Sequence, residues 1–189
     1  MLEKEIKILD VNIEELQKKL KDFWAKKTFE WYIHDIYYDF PDSESNKMEA
    51  NNRIFRVRKK WDIHMYTIKR KRTTKEEWWE KWLKIADEWE REITDVESFT
   101  KVLEKYWMKA VREKKKYRIS YSLGNIEFDI DDYFYGDDRA LIPPLLEIEA
   151  HTKEEIDSWI KKLWLENHKQ VDWGSKKLFK NYWVEYKWL

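Results

Sequence analysis

The sequence predicts an α+β fold in which one antiparallel sheet closes on itself, apolar side outward under helices, around a charged interior. Two observations carry that expectation. First, segment after segment places charged side chains two residues apart: Glu3/Glu5/Lys7, Arg56/Arg58, Lys69/Lys71, Glu88/Glu90/Glu92, Lys116/Arg118, Asp129/Asp131 and Glu147/Glu149. Residues i and i+2 of a strand share a face about 6.6 Å apart, so each segment gathers its charges on one side. The alternate positions, Phe55/Val57, Tyr117/Ile119/Tyr121, Phe128/Ile130 and Leu146/Ile148, gather apolar side chains on the other. Second, a carboxylate-bearing strand feeds a short amphipathic helix three times over. Closing such a sheet with helices on its apolar side leaves a tunnel lined by carboxylates, guanidiniums and ammoniums.

Along the chain, a strand ending near Leu9 leads into a helix capped by Asn12, with Glu15 at N3 and the stripe Ile13, Leu16, Leu20, Phe23. Strands follow over Tyr32 to Phe40, Arg53 to Lys59 and Met65 to Arg70, with a polar loop from Pro41 to Asn52 and a hairpin turn in Lys59-Lys60-Trp61-Asp62. The stretch Thr73 to Ala86 reads either as a helical excursion, with Trp78, Trp82 and Ile85 sharing a face, or as an exposed hairpin insert; the spacing favours the helix. Glu90 to Ile93 then feeds a helix capped by Asp95 with the stripe Phe99, Val102, Leu103, Tyr106. Tyr117 to Ser122 and Asn125 to Asp131 pair through Leu123-Gly124. After a loop from Gly136 to Pro144, the strand Leu145 to Ala150 feeds the third helix, capped by Thr152 with Glu155 at N3 and the stripe Ile156, Trp159, Ile160, Leu163. A last helix starts at Trp173-Gly174-Ser175 and carries Leu178, Phe179 and Tyr182.

A chain of 189 residues suits one domain with one core, and nothing in it reads as a linker. Its 38 basic and 38 acidic residues cancel, which argues against a broad nucleic-acid or anionic-membrane surface. The absence of cysteine excludes a disulfide scaffold, thiol catalysis and a thiolate zinc site. No apolar run reaches membrane-spanning length and the first residues do not read as a signal peptide, so the expected compartment is the cytoplasm. His34, His64, His151 and His168 lack zinc-ligand spacing, and there is no Walker loop, serine elbow or dinucleotide glycine fingerprint.

An interior of mixed charge suits a polyanion carrying divalent metal: bases hold phosphates and carboxylates hold hard cations. Glu3-Lys4-Glu5-Ile6-Lys7 resembles the Glu-x-Glu-x-Lys signature of the CYTH superfamily, the triphosphate tunnel metalloenzymes, which includes class IV adenylate cyclases and thiamine triphosphatases. The similarity continues through Arg56-Val57-Arg58, Thr67 to Lys71, Glu88 to Glu92, Lys116 to Arg118, Phe128 to Asp131 and Leu146 to Glu149. The resemblance implies a closed tunnel of eight antiparallel strands holding a triphosphate with Mg²⁺ or Mn²⁺. It implies metal-side carboxylates at Glu3, Glu5, Glu147 and Glu149, with Asp129 a further candidate. The implied phosphate clamp is Lys7, Arg56, Arg58, Lys69 and Arg118, joined by Lys71 and Lys116 on strand parity. Glu3, Glu5, Lys7, Lys69 and Arg118 are the expected catalytic set, and Glu90 and Glu92 either bind a second metal or orient the clamp. The expected reaction is metal-dependent hydrolysis of a small triphosphate, with adenylate cyclisation second and a polyphosphate-binding module without turnover third.

Thirteen tryptophans against three glycines invert ordinary composition. Trp24, Trp107 and Trp164 fall near helix ends and Trp61 in a turn, places where glycine is expected. Two explanations stand at this point. The source organism reads UGA as glycine and the codon has been rendered as tryptophan, or a Trp-rich surface mediates self-association, for which a homodimer is the natural form.

Overall fold

The computed structural model describes residues 2–43, 47–48, 51–71, 84–133, 142–185 and 187–189, with the side chains at positions 2, 3, 187 and 188 outside that description. Ten strands and four helices follow in the order β1 (Leu2–Leu9), α1 (Ile13–Asp22), β2 (Lys26–Asp39), β3 (Arg53–Lys60), β4 (Ile63–Lys71), β5 (Lys84–Ile93), α2 (Val96–Lys105), β6 (Lys109–Leu123), β7 (Ile126–Asp132), β8 (Leu145–Ala150), α3 (Lys153–Lys162), β9 (Gln170–Val171), α4 (Ser175–Asn181) and β10 (Lys187–Trp188). Neighbours pair antiparallel in the order β6-β2-β3-β4-β5-β1-β8-β7, and β7 returns to β6, so eight strands form a closed barrel. The short β9 pairs with β1 beyond the stretch that β5 occupies, and the short β10 pairs with β6 beyond the stretch that β7 occupies.

α1, α2 and α3 start where their cap chemistry places them, while α4 follows Gly174 without a side-chain cap. The Asn12 side chain accepts the Glu15 amide, Asp95 accepts the Ser98 amide, and Thr152 with Glu155 completes a capping box. The outward strand faces meet the helices in two clusters. Ile6, Ile8, Ile119, Phe128, Ile130, Leu146 and Ile148 are buried under α1 and α3 through Leu16, Leu20, Ile156, Trp159 and Ile160. Val57, Phe55 and Tyr66 pack under α2 through Leu103 and Phe99. At one end of the barrel the inward positions turn apolar: Leu9, Tyr133 and Leu145 meet Leu178 and Phe179 of α4, which closes that end.

The strands run longer than the sequence spacing indicates. β2 begins at Lys26 and β6 at Lys109, and the two pair along almost their whole length. Two irregularities interrupt that ladder; at one, Tyr37 pairs with Arg112 and Tyr38 with Ala110, leaving Val111 as an extra residue. The bulge turns Ala110 toward the outer cluster while Arg112 stays on the inner face. Of the segment expected as a helix, residues 84–86 are strand: Ile85 and Ala86 pair with β1 and Ala86 with β4, so ladder hydrogen bonds override the helical spacing. Thr73, Trp78 and Trp82 lie outside the described residues. No helix among the described residues is long and apolar enough to cross a membrane.

Candidate functional site: a charged cavity inside the barrel

Strand parity places the charged positions inward, and they line a cavity of about 790 Å³. Along one wall, adjacent strands bring carboxylates level with one another. Glu5 on β1 faces Glu149 on β8, which faces Glu127 on β7; one pair further along, Lys7 faces Glu147, which faces Asp129. Glu5 is also the partner of Lys84 on β5.

These groups are tightly cross-linked. Lys7 donates to Glu5 and lies 2.8 Å from Glu147. Lys84 Nζ donates to Glu5 at 2.6 Å. Arg118 ties three strands together: it holds Asp131 by two bonds of 2.6 and 2.7 Å, reaches Glu147 at 2.6 Å and also bonds Asp129. Lys116 Nζ donates to Asp131 at 2.5 Å. Burial by itself would raise the Glu5 and Glu147 carboxyls. Lys7 and Lys84 outweigh it at Glu5, and Lys7, Lys116 and Arg118 at Glu147, so both lie well below the usual carboxylate range. Burial, reinforced by Arg118, pushes the Lys116 ammonium down to about 7, and burial pushes Lys84 down to about 8. Strongly shifted groups gathered in one cavity are the usual mark of a functional site.

The opposite wall is organised by Asp35, fully buried on β2. It is the cross-strand partner of Arg58 on β3 and of Lys114 on β6. Arg58 donates to both its oxygens at 2.7 and 3.1 Å, and Lys114 lies 3.3 Å away. Burial favours the neutral acid, but Arg58, Arg56 and Lys114 hold this carboxyl well below its ordinary value. Arg56 donates to Thr67 and Glu90, each at 2.9 Å, and to Glu88 at 3.3 Å; Lys69 donates to Glu88. Changing Asp35 to Asn leaves Arg58 and Lys114 without their shared counter-charge. The expected cost is about 2–3 kcal/mol, seen as a fall of about 5–8 °C in the unfolding midpoint; an unchanged midpoint would show that water screens this wall.

Among the sequence-expected residues, Glu5, Lys7, Arg56, Arg58, Lys69, Lys71, Glu90, Lys116, Arg118, Asp129, Glu147 and Glu149 all line the one cavity. Glu3 sits on β1 opposite Ala86, and its side chain is outside the described residues. Glu92 is not brought in: it is exposed, opposite Met65. Sequence reasoning missed Asp35, Lys84, Arg112 and Lys114. Arg112 and Lys114 share parity with Lys116 and Arg118, a signal obscured by the unbroken run Lys114-Lys115-Lys116. Lys84 lay in the stretch read as helix, and Asp35 stands alone between Ile33 and Tyr37, with no paired charge to flag it. Of the histidines, His34 bonds Glu113 at 2.7 Å and His168 the Leu9 carbonyl at 3.1 Å, and neither lines the cavity.

Among the described residues no three acidic or histidine side chains converge closely enough to hold a metal ion by themselves. The donor set nonetheless fits a hard divalent cation. It is all oxygen, and Mg²⁺ or Mn²⁺ commonly takes one or two carboxylates and completes its shell with water and substrate phosphates.

Comparison with known proteins agrees with this architecture. The PH1012 protein of Pyrococcus horikoshii is 21% identical, with 88% of this chain and 94% of that one aligned and a TM-score of 0.66. A Vibrio parahaemolyticus protein named for a suspected adenylate cyclase activity is 15% identical over 95% of this chain and 98% of its own, with a TM-score of 0.73. A Hippeastrum protein is 11% identical over the whole of this chain and 90% of its own, with a TM-score of 0.56. No curated protein matches at a significant level. The CYTH domain model matches residues 1–179, and with that match the barrel has its family: this chain belongs to the CYTH domain proteins.

Proposed function

We propose that the chain hydrolyses a small triphosphate with the help of a divalent metal ion, inside the barrel. The observation that carries this reading is the imbalance of charge in a chain that has none overall. Fourteen basic side chains but only eight acidic ones line the cavity among the described residues. Such an interior favours a ligand bearing several negative charges in a row. Lys7, Arg56, Arg58, Lys69, Lys71, Lys116 and Arg118 are the groups assigned to its phosphoryl oxygens. Glu5, Glu147 and Glu149, with Glu3 on β1 and Asp129 on the adjacent β7, are assigned to Mg²⁺ or Mn²⁺. The ion, when bound, polarises a phosphoryl group and acidifies a coordinated water. The chain's own part is positional: the clamp aligns the triphosphate and the ammonium and guanidinium groups offset charge on the transferring oxygens.

Hydrolysis is preferred to cyclisation because cyclisation requires a nucleoside to be gripped and aimed. Among the described residues, the aromatic side chains lining the cavity are Tyr37, Tyr133 and Trp173. Cations already cover all three, with Arg112 4.3 Å from the Tyr37 ring, Lys169 4.6 Å from that of Trp173, and Lys114 and Lys116 each 5.8 Å from that of Tyr133. The Hippeastrum protein, described as a suspected adenylyl cyclase with a dominant triphosphatase activity, is in keeping with this preference.

The test is product analysis with tripolyphosphate, thiamine triphosphate and ATP, each with Mg²⁺, Mn²⁺ or chelator. Orthophosphate released only with metal is the expected result. Cyclic AMP with pyrophosphate would replace hydrolysis by cyclisation, and saturable tripolyphosphate binding without product would reduce the protein to a binding module.

Binding is expected to depend on pH. With its ammonium pushed down to about 7 by burial and by Arg118, Lys116 is mostly neutral at pH 8. It faces Asp131, Glu147, Arg118 and Lys114, and an arriving polyanion favours its charged form. Above pH 7, therefore, binding takes up a proton and affinity falls as pH rises, by up to about tenfold per pH unit for one proton. Calorimetry at pH 8 in two buffers of different ionisation enthalpy should show this uptake, reduced by about one proton in Lys116→Met. Equal uptake in both chains would acquit Lys116.

A further inference from the structure

Ten of the thirteen tryptophans are described, and five of them have positive φ: Trp24 at 62°, Trp61 at 57°, Trp107 at 61°, Trp164 at 58° and Trp183 at 58°. Left-handed backbone is uncommon for any residue with a Cβ, and a bulky side chain there is an outlier. Among the described residues, the two other non-glycine residues with positive φ are Asp10 and Asn52, of the types that tolerate it.

All four helices end in the same way. After α1, the Trp24 amide donates to the Lys21 carbonyl and the Ala25 amide to Leu20. After α2, Trp107 donates to Glu104 and Met108 to Leu103. After α3, Trp164 donates to Lys161 and Leu165 to Ile160. After α4, Trp183 donates to Lys180 and Val184 to Phe179. Each is a Schellman ending, and each places tryptophan at the left-handed position that glycine ordinarily fills.

The fifth case has an internal standard. Two hairpins have two-residue loops: Trp61-Asp62 between Lys60 and Ile63, and Gly124-Asn125 between Leu123 and Ile126. The first loop residue has φ 57° in one and 62° in the other, and the second hairpin carries glycine there. Four of these side chains contribute little packing, with Trp24, Trp107, Trp164 and Trp183 between 73% and 91% exposed; Trp61, at 48%, lies 5.1 Å from the ring of Phe29. Trp159 is the contrast. It lies inside α3, is 6% exposed and packs against the rings of Phe23 and Phe128 at 5.3 and 5.0 Å. An association surface has no need of one backbone conformation repeated five times; a set of glycines does.

We infer that the polypeptide made in the source cell carries glycine at positions 24, 61, 107, 164 and 183. Tryptophan stands there because a codon that this cell reads as glycine, UGA, has been rendered under a code in which it means tryptophan. Trp159 is tryptophan under both readings. The inference concerns the covalent chain and holds whether or not the barrel hydrolyses a triphosphate.

The test is peptide mass spectrometry of the protein from its source cells, read beside the gene. Glycine in the peptides spanning the five positions, with UGA in each codon and UGG at position 159, is the expected result. Tryptophan in those peptides, UGG in those codons, or UGA at position 159 as well would overturn it, the last because codon use would then not follow backbone conformation.

Discussion

Glu147→Gln is expected to lower metal-dependent turnover of a triphosphate by about 10²–10³-fold while leaving the barrel folded. Glutamine keeps the volume and one acceptor oxygen but removes the charge assigned to the metal. The structural cost is limited because both cations that Glu147 holds keep other counter-charges. Lys7 retains Glu5, and Arg118 retains Asp129 and Asp131. A loss of about 1–2 kcal/mol follows, or a few degrees in the midpoint of unfolding. Activity and thermal unfolding measured on one preparation separate the two effects. Turnover retained with ordinary metal dependence would remove Glu147 from the metal site, and loss of fold and activity together would make it a structural group. Glu149→Gln, one carboxylate along the same strand, should behave similarly.

The second large effect has the opposite sign. Replacing Trp24, Trp61, Trp107, Trp164 and Trp183 together by glycine is expected to raise the unfolding midpoint by about 10 °C. Holding an L-residue in left-handed backbone costs about 1–2 kcal/mol, and the greater freedom of glycine in the unfolded chain returns about 0.4–1 kcal/mol of that. The net gain is about 0.5–1 kcal/mol at each site. Trp159→Gly serves as the control: it empties a buried position and should destabilise by about 3–5 kcal/mol. A five-fold variant that melts no higher than the parent would mean that the tryptophan side chains contribute packing which their exposure does not suggest.

What was legible in the sequence was parity. Wherever two charges stand two residues apart, as in Arg56/Arg58 or Glu147/Glu149, the pattern alone separates the inner face from the outer, and the closed barrel has both faces as expected. The caps Asn12, Asp95 and Thr152 likewise marked where helices start, because that signal is local. Less legible were features that depend on a partner strand. Asp35 looks unremarkable between Ile33 and Tyr37, and becomes the centre of a wall only when β3 and β6 bring Arg58 and Lys114 to it. Lys84 and Ala86 read as helix because tryptophan spacing nearby obscured the strand. Glu92 keeps the right parity but lies opposite Met65, exposed, where charge pairing says nothing about depth along the barrel. The helix ends were legible as places for glycine, and the backbone confirms the conformation there.

The extra residue at Val111 shows how tightly sequence length is tied to chemistry in a closed ring. That one residue is enough to move Ala110 from the face Arg112 occupies to the one beneath α2. By the same geometry, deleting or inserting one residue within β1, β7 or β8 would present part of the strand inside out, with carboxylates against α1 and α3 and isoleucines toward the phosphates. An open sheet absorbs such a slip at its edge; this one has no edge at which to lose it. Length changes in these strands should therefore survive in twos or not at all, leaving the loops to carry single-residue variation.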